Sequence, residues 1–147
     1  MRLTVYTDYA LRLLMYLAVM NDGDGRLATI GEIAEHHGIS RNHLMKVAYQ
    51  LGTAGYVETL RGRGGGLRLA MAASEIGVGE VVRRTEPDMA LVPCFDPVDA
   101  PCAIRSCCVL RKALQKAEDA FMAALDGYSI GDLAKPRTPL RNLLGIA

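Results

Sequence analysis

Two short helical patterns on either side of Gly38 constrain the fold of this chain more than any other feature. Residues 29–37 and 40–51 each carry apolar side chains at helical spacing. Thr29 and Ser40 stand at the start of these segments, and both residue types are favoured at helix N-caps. Two short helices around a tight turn that contains glycine are typical of a helix-turn-helix, so we predict that unit here.

A glycine-rich segment follows the second helix. Residues 56–60 and 67–69 have the composition of two short strands, and they flank the sequence Arg-Gly-Arg-Gly-Gly-Gly at 61–66. A helix-turn-helix followed by such a hairpin is a winged helix. The glycines also invite comparison with a phosphate-binding loop, but the segment lacks the Lys-Ser/Thr ending of that motif and lies in a hairpin instead of between a strand and a helix.

Helical patterns also surround this unit. An apolar face over residues 9–18 predicts a first helix, and residues 78–84 predict another short one. A continuous apolar stripe predicts a long helix over about 108–126. The tail is expected to form one short turn at 129–134 and then to fray.

The predicted fold class is therefore mainly α: a winged helix-turn-helix with a small β-hairpin wing and a long C-terminal dimerisation helix. A lone helix with an apolar stripe needs a partner surface, which in a small regulator is usually its symmetry mate, so we expect a homodimer. We expect the DNA-binding region to cover residues 1–75. The second region would cover residues 76–147, and its prolines predict an irregular loop at 93–108 before the long helix.

The charge of the chain is nearly balanced, with 17 Lys and Arg against 16 Asp and Glu over 147 residues. This balance excludes a nucleic-acid binder that relies on bulk positive charge. Positive charge is gathered locally instead, because no acidic residue lies between His36 and Val57. A recognition helix meets base edges with its first turns, and a glycine-rich wing lets the backbone approach DNA closely. The candidate DNA-contacting residues are Ser40, Arg41, Asn42, His43, Lys46, Arg61 and Arg63, with Arg68 as a further wing cation.

Four cysteines, Cys94, Cys102, Cys107 and Cys108, lie within fifteen residues of one another. A secreted disulfide scaffold would spread its cysteines through the chain, so this clustering favours a metal site in a reducing compartment. The spacing does not match paired C-x-x-C zinc knuckles. Iron-sulfur clusters are held by cysteine thiolates in loops of variable spacing, and a thiolate at the start of the long helix gains from the positive helix end. The residues alone leave the metal open.

Several segments together resemble the nitric-oxide-sensing repressors of the Rrf2 family of winged-helix regulators. The resemblance covers nearly the whole chain. It is carried by Met1-Arg2-Leu3-Thr4, Thr7-Asp8-Tyr9-Ala10-Leu11-Arg12, Ser40-Arg41-Asn42-His43, the 61–66 wing, Glu86-Pro87 and Leu91-Val92-Pro93-Cys94-Phe95.

The resemblance implies an iron-sulfur cluster, 4Fe-4S rather than 2Fe-2S, held by Cys94, Cys102 and Cys108. It also implies a fourth ligand, Asp8, supplied by the other subunit of the homodimer, while Cys107 would be a spare thiol. An acid in the first helical turn is also favoured by the helix dipole and can pair with Arg12, and both roles can coexist. The implied partners are a double-stranded DNA operator and nitric oxide as the signal, which would release the operator and derepress nitric oxide detoxification genes.

Three alternatives compete with this interpretation. IscR-type regulators of the same family complete a 2Fe-2S site with a histidine three positions after the last cysteine, where this chain has Arg111, and they lack an acid at the place of Asp8. A cluster-free thiol-redox regulator would use Cys107 and Cys108. An enzyme with nucleophilic cysteines is disfavoured because no histidine or acid accompanies them in a motif.

The apolar run at 13–20 is far shorter than the roughly 20 residues that span a bilayer. The acid at Asp8 and the lack of a small-residue cleavage site disfavour a secretory signal. We therefore expect a cytoplasmic protein.

Overall fold

A computed structural model describes residues 2–20, 25–96 and 102–146. The described part contains helices and one two-stranded sheet, in the order α1 (Val5–Met20), α2 (Ile30–His37), α3 (Arg41–Thr53), β1 (Val57–Leu60), β2 (Gly66–Leu69), α4 (Val78–Thr85), α5 (Val109–Asp126), α6 (Ile130–Leu133) and α7 (Arg137–Leu143). Among these described helices, none is long and apolar enough to cross a membrane. The mainly helical winged fold that the sequence predicts is confirmed.

Helix α1 is the centre of the hydrophobic core. Its side chains Leu13, Leu14 and Leu17 are fully buried, and it packs against α3, α4 and α6. The helix begins at Val5, one turn before the predicted apolar face, because Glu86 accepts hydrogen bonds from the Thr4 backbone N–H (2.7 Å) and hydroxyl (3.1 Å). The end of α4 thus caps the start of α1.

The helix-turn-helix forms at the predicted residues. Thr29 and Glu32 make a reciprocal capping box at the start of α2. Gly38 ends α2 with φ +63°, a left-handed conformation that glycine adopts without strain. Ser40 occupies the N-cap position of α3 as predicted, but its side chain makes no capping hydrogen bond.

The hairpin is antiparallel, with Val57 opposite Leu69 and Leu60 opposite Gly66. It is fixed to the start of the helix-turn-helix by two backbone hydrogen bonds between Leu67 and Ala28 (2.7 and 3.2 Å). Gly66 allows this approach, since a Cβ atom at this position would lie 2.7 Å from the Ala28 carbonyl oxygen. The wing therefore keeps a set position beside α2.

The long helix α5 begins after Cys108, whose sulfur accepts a hydrogen bond from the Arg111 backbone N–H at 3.3 Å. Near its end, Asp126 accepts two hydrogen bonds from Arg83 of α4 (2.7 and 2.6 Å), which joins the two helices. The only buried side chain of α5 among the described residues is Met122. Val109 is 76% exposed and Leu110 is 66% exposed, so the apolar stripe is largely uncovered in a single chain.

The expectation that the tail frays after residue 134 is wrong. Residues 137–143 form α7, and Ile146 beyond it is buried in the core. Leu140 and Leu144 pack against the same core, so apolar burial holds the tail in place. Pro139 lies in the first turn of α7, where a missing backbone N–H leaves no intrahelical hydrogen bond unmade.

The predicted division of the chain at residue 75 stays a prediction. Leu17 before this point and Val81 and Ile130 after it belong to one cluster of buried hydrophobic side chains.

Candidate functional site

The exposed face of α3 carries most of the predicted DNA-contacting residues. Its opposite face buries Leu44, Val47, Ala48 and Leu51 against the core. The sequence-predicted residues Ser40, Arg41, Asn42, His43 and Lys46 are all exposed. Amphipathic burial thus fixes which side of the helix faces outward, and this side begins with a polar and basic first turn.

The wing adds Arg61 and Arg63, both exposed at the tip of the hairpin. Within the described parts of the chain, neither residue makes an ion pair, and the same holds for Arg41 and Lys46. Arg68 differs, because its Nε donates to the Glu58 carboxylate across the hairpin at 2.8 Å. These four cations of α3 and the wing tip have no described ion-pair partner that a phosphate would have to displace.

Two further exposed residues of α3 are not among the DNA-contacting residues that the sequence predicts. Tyr49 is 77% exposed and Met45 is 58% exposed, one helical turn apart on the side that also carries Asn42. Large apolar side chains on an exposed recognition face can contact the thymine methyl group in the major groove. The sequence could have indicated their exposure, because both lie outside the apolar helical face formed by residues 44, 47, 48 and 51.

Helix α1 places Asp8 close to the DNA-binding unit. The Asp8 carboxylate is about half exposed and pairs with Arg12 at 3.0 Å, as the four-residue spacing predicts. The neighbouring Tyr9 ring lies 6.2 Å from the ring of His43 on α3. Asp8 and the recognition helix are therefore connected through one packed residue of α1.

The histidines at the end of α2 pack on the same helix. The rings of His36 and His37 lie 5.8 and 6.0 Å from the ring of Tyr16. Burial lowers the pKa of His37, the charges of Arg12 and His36 lower it further, and Asp8 opposes them. All three histidines belong to the helix-turn-helix, as predicted, and contact α1.

The cysteine segment is open. Cys94 lies in a single 3-10 turn formed by Pro93–Phe95, and Cys108 caps α5. Cys102 and Cys107 are exposed on the turns between them, and all four thiols are free. Residues 97–101 of the predicted 93–108 loop lie outside the described residues.

The described residues contain no group of three His, Cys, Asp or Glu side chains placed together to hold a metal ion. The donor chemistry nevertheless fits an iron-sulfur cluster, because reduced cysteines within solvent reach are its usual ligands. The Cys107 thiol donates a hydrogen bond to the Ile104 carbonyl oxygen at 3.6 Å.

Arg111 connects the two ends of the cysteine segment. Its backbone N–H donates to the Cys108 sulfur, and its guanidinium lies 5.7 Å from the centroid of the Phe95 ring, beside Cys94. The residue that stands where an IscR-type ligand would be is therefore used here as a contact between the 93–95 turn and α5.

Comparison with known proteins now identifies the family. Residues 3–136 match the family model Rrf2, described as an iron-dependent transcriptional regulator. The chain belongs to the Rrf2 family of transcriptional regulators. Like other members of this family, it acts by binding DNA and is not an enzyme.

Individual relatives agree with this assignment. The chain is 50% identical over 144 residues to the HTH-type transcriptional regulator NsrR of Bacillus subtilis, covering 98% of this chain and 97% of the relative. Among solved structures, it is similar to CymR, the global cysteine regulator of B. subtilis, with a TM-score of 0.74 at 23% identity over 92% of this chain and 97% of that one. It is also similar to T. potens IscR, with a TM-score of 0.72 at 24% identity over 92% and 88%. These structural matches show the Rrf2 fold.

Proposed function

We propose that this Rrf2 protein is a homodimeric repressor that releases its DNA operator when nitric oxide reaches an iron-sulfur cluster. The observation that carries the proposal is the placement of Asp8. This carboxylate lies on α1, one residue from Tyr9, which packs on His43 of the recognition helix. A ligand bond to Asp8 would therefore act directly on the element that supports DNA binding.

The DNA-binding surface in this proposal consists of α3 and the wing. Ser40, Asn42 and His43 would face base edges, while Arg41, Lys46, Arg61 and Arg63 would meet phosphates or bases. Their exposure and the lack of ion-pair partners for these cations among the described residues support this assignment. For a two-fold dimer, the half-sites should lie roughly 34–36 Å apart.

Dimerisation would use α5. Its first turn exposes Val109 and Leu110, and Leu114, Phe121 and Leu125 are only partly covered. A second copy would bury this stripe by coiled-coil-like packing. The proposal also requires this packing to place the partner's α1 beside the cysteine segment, which lies directly before α5.

Cys94, Cys102 and Cys108 are the proposed thiolate ligands, and Asp8 of the partner subunit is the proposed fourth ligand. Cys108 presents its sulfur at the positive end of α5, where negative charge is favoured. A carboxylate is a harder and less tenacious ligand for iron than a thiolate, so the Asp8 position would be the first to open. When bound, a 4Fe-4S cluster would supply the iron that nitric oxide attacks.

The release of DNA would depend on how the chain transmits the loss of the Asp8 contact. Asp8 would return to Arg12 of its own helix, which is its partner in the single chain. The Thr7 hydroxyl donates to Thr85 at 2.9 Å, and Glu86 holds Thr4, so movement of α1 would also reach α4. A change from 99% to 1% operator occupancy requires the two states of the protein to differ by about 5.5 kcal/mol in their free energy of DNA binding. Ligand bonds that join two subunits could supply this difference.

The cluster-free thiol-redox alternative has one observation in its favour, the exposure of the free Cys107 next to Cys108. An IscR-type 2Fe-2S site has less support, since Arg111 replaces the histidine and contacts Phe95. Iron and sulfide analysis separates the alternatives.

The experiment is anaerobic purification of the full chain, followed by iron and sulfide determination for single cysteine variants. Cys94→Ser, Cys102→Ser and Cys108→Ser should each lose most of the cluster, whereas the matched control Cys107→Ser should keep it. Asp8→Ala should lower cluster content or nitric oxide sensitivity. A colourless wild-type protein with full operator binding would contradict the proposal.

A further inference from the structure

The guanidinium of Arg41 lies on the surface of Gly31. A Cβ atom built on Gly31 would lie 2.6 Å from Nη2, 3.1 Å from Cζ and 3.5 Å from Nε of Arg41. Three atoms of the planar guanidinium thus lie near the position that a Gly31 Cβ would occupy, so the guanidinium covers the Gly31 Cα. The contact joins the first turn of α2 to the first turn of α3.

The backbone does not require glycine at this position. Gly31 lies inside α2 and is not among the described glycines with positive φ. Glycine is also one of the poorest helix formers, so alanine would suit the helix better. The space needed by Arg41 is the feature of the structure that explains a glycine here.

No polar partner in the described chain fixes the Arg41 side chain. It is exposed and makes no ion pair or hydrogen bond with another described residue. A long cationic side chain without a partner loses considerable rotamer freedom when it binds, and this loss is smaller if the side chain is held in place beforehand.

We propose that Gly31 is a positioning residue for DNA recognition, which holds Arg41 ready at the edge between α2 and α3. This inference rests on the proposed role of Arg41 in DNA binding. An alanine methyl group at position 31 would displace the guanidinium without disturbing the helix, because the atoms in its way are the end of a flexible side chain.

The test is a double-mutant cycle with full-length dimer and a DNA duplex that the wild-type protein has selected from a random-sequence library. The four proteins are wild type, Gly31→Ala, Arg41→Met and the double variant, with Kd measured by fluorescence anisotropy. Arg41→Met keeps an apolar stem and removes the charge. Gly52→Ala is the control, since a Cβ there would lie 3.5 Å from the nearest atom, an ordinary contact.

Gly31→Ala should weaken binding by about tenfold in the wild-type background, as expected when one base or phosphate contact is misplaced. In the Arg41→Met background the same change should have an effect below about twofold, because coupled residues are not additive. Gly52→Ala should bind like wild type, and thermal unfolding should show that Gly31→Ala is at least as stable as wild type.

Two results would overturn the inference while leaving DNA binding by Arg41 intact. One is a Gly31→Ala protein that binds as tightly as wild type or more tightly. The other is an equal loss of affinity on Gly31→Ala with and without Arg41. If Arg41→Met itself binds like wild type, the proposed role of Arg41 fails, and the inference fails with it.

Discussion

The Arg111 guanidinium lies 5.7 Å from the centroid of the Phe95 ring, a cation–π contact between the cysteine-bearing 93–95 turn and the start of α5. Because the Arg111 backbone also holds the Cys108 sulfur, this one residue touches both ends of the cysteine segment. Both contacts lie within a single chain and join the 93–95 turn to α5.

Replacing Arg111 with Gln should therefore expose Cys94. A cation–π pair at a partly exposed site stabilises by about 0.5–1 kcal/mol, so the alkylation rate of Cys94 in iron-free protein should rise roughly two- to fivefold. Mass spectrometry can follow each thiol separately. Lys112→Gln is the control, since this neighbouring residue is exposed. An unchanged Cys94 rate in Arg111→Gln would show that Phe95 is held by other contacts.

The wing makes a second comparison possible. Arg63 makes no ion pair within the described part of the chain, whereas Arg68 is paired with Glu58. Arg63→Ala should weaken operator binding and reduce the slope of log Kd against log salt by about one, as the loss of one phosphate contact predicts. Arg68→Ala should leave this slope nearly unchanged. Binding measured at several salt concentrations decides the point, and an Arg63→Ala slope equal to that of wild type would remove Arg63 from the interface.

Tyr56 provides a prediction of pH dependence. Burial raises its pKa to about 12, and the Glu80 carboxylate, which accepts a hydrogen bond from the Tyr56 hydroxyl at 2.7 Å, adds to this effect. Because the pKa is higher in the folded protein than the ordinary value of 10.0, the stabilisation is fully present below pH 10.0 and is lost as the pH rises towards 12.

Burial also raises the pKa of Tyr6 and of Tyr16, so ultraviolet titration should show a late-ionising group of tyrosines, and Tyr56→Phe should remove one tyrosine from it. Tyr49→Phe is the control, because Tyr49 is 77% exposed. A late-ionising amplitude that is as large in Tyr56→Phe as in wild type would show that Tyr56 does not belong to this group.

The end of the chain is expected to contribute to stability. Ile146 is 6% exposed, so Ile146→Ala should lower the free energy of unfolding by about 2–5 kcal/mol through lost apolar burial and a cavity. Leu143 is 83% exposed, and Leu143→Ala should change the free energy of unfolding by less than about 0.5 kcal/mol. Denaturant unfolding measures both values, and equal values would mean that the tail does not pack as described.

Local signals made much of the fold predictable. A Thr29 cap, a glycine with left-handed φ at position 38 and the apolar stripe of the long helix each act over a few residues, and each was found where the sequence predicted it. The fraying predicted for the tail is wrong, since residues 137–143 form α7. The burial of Ile146, which decides its structure, depends on contacts with distant helices.

The candidate site was less predictable, for the same reason. The exposed cations of α3 follow from its amphipathic pattern, but the pairing of Arg68 with Glu58 follows from strand register, and the contact of Arg41 with Gly31 follows from helix packing. Whether Cys94, Cys102 and Cys108 meet at one cluster depends on the path of the loop, which no periodic pattern in the sequence determines.

The most direct test of the proposed function is a nitric oxide titration of anaerobically purified full-length protein bound to its selected duplex. DNA retention and the visible absorbance of the cluster are followed together. We expect cluster-loaded protein to bind DNA and to release it as the cluster absorbance is lost. Retention of DNA after complete loss of the cluster, or equal binding by cluster-free protein, would contradict the account.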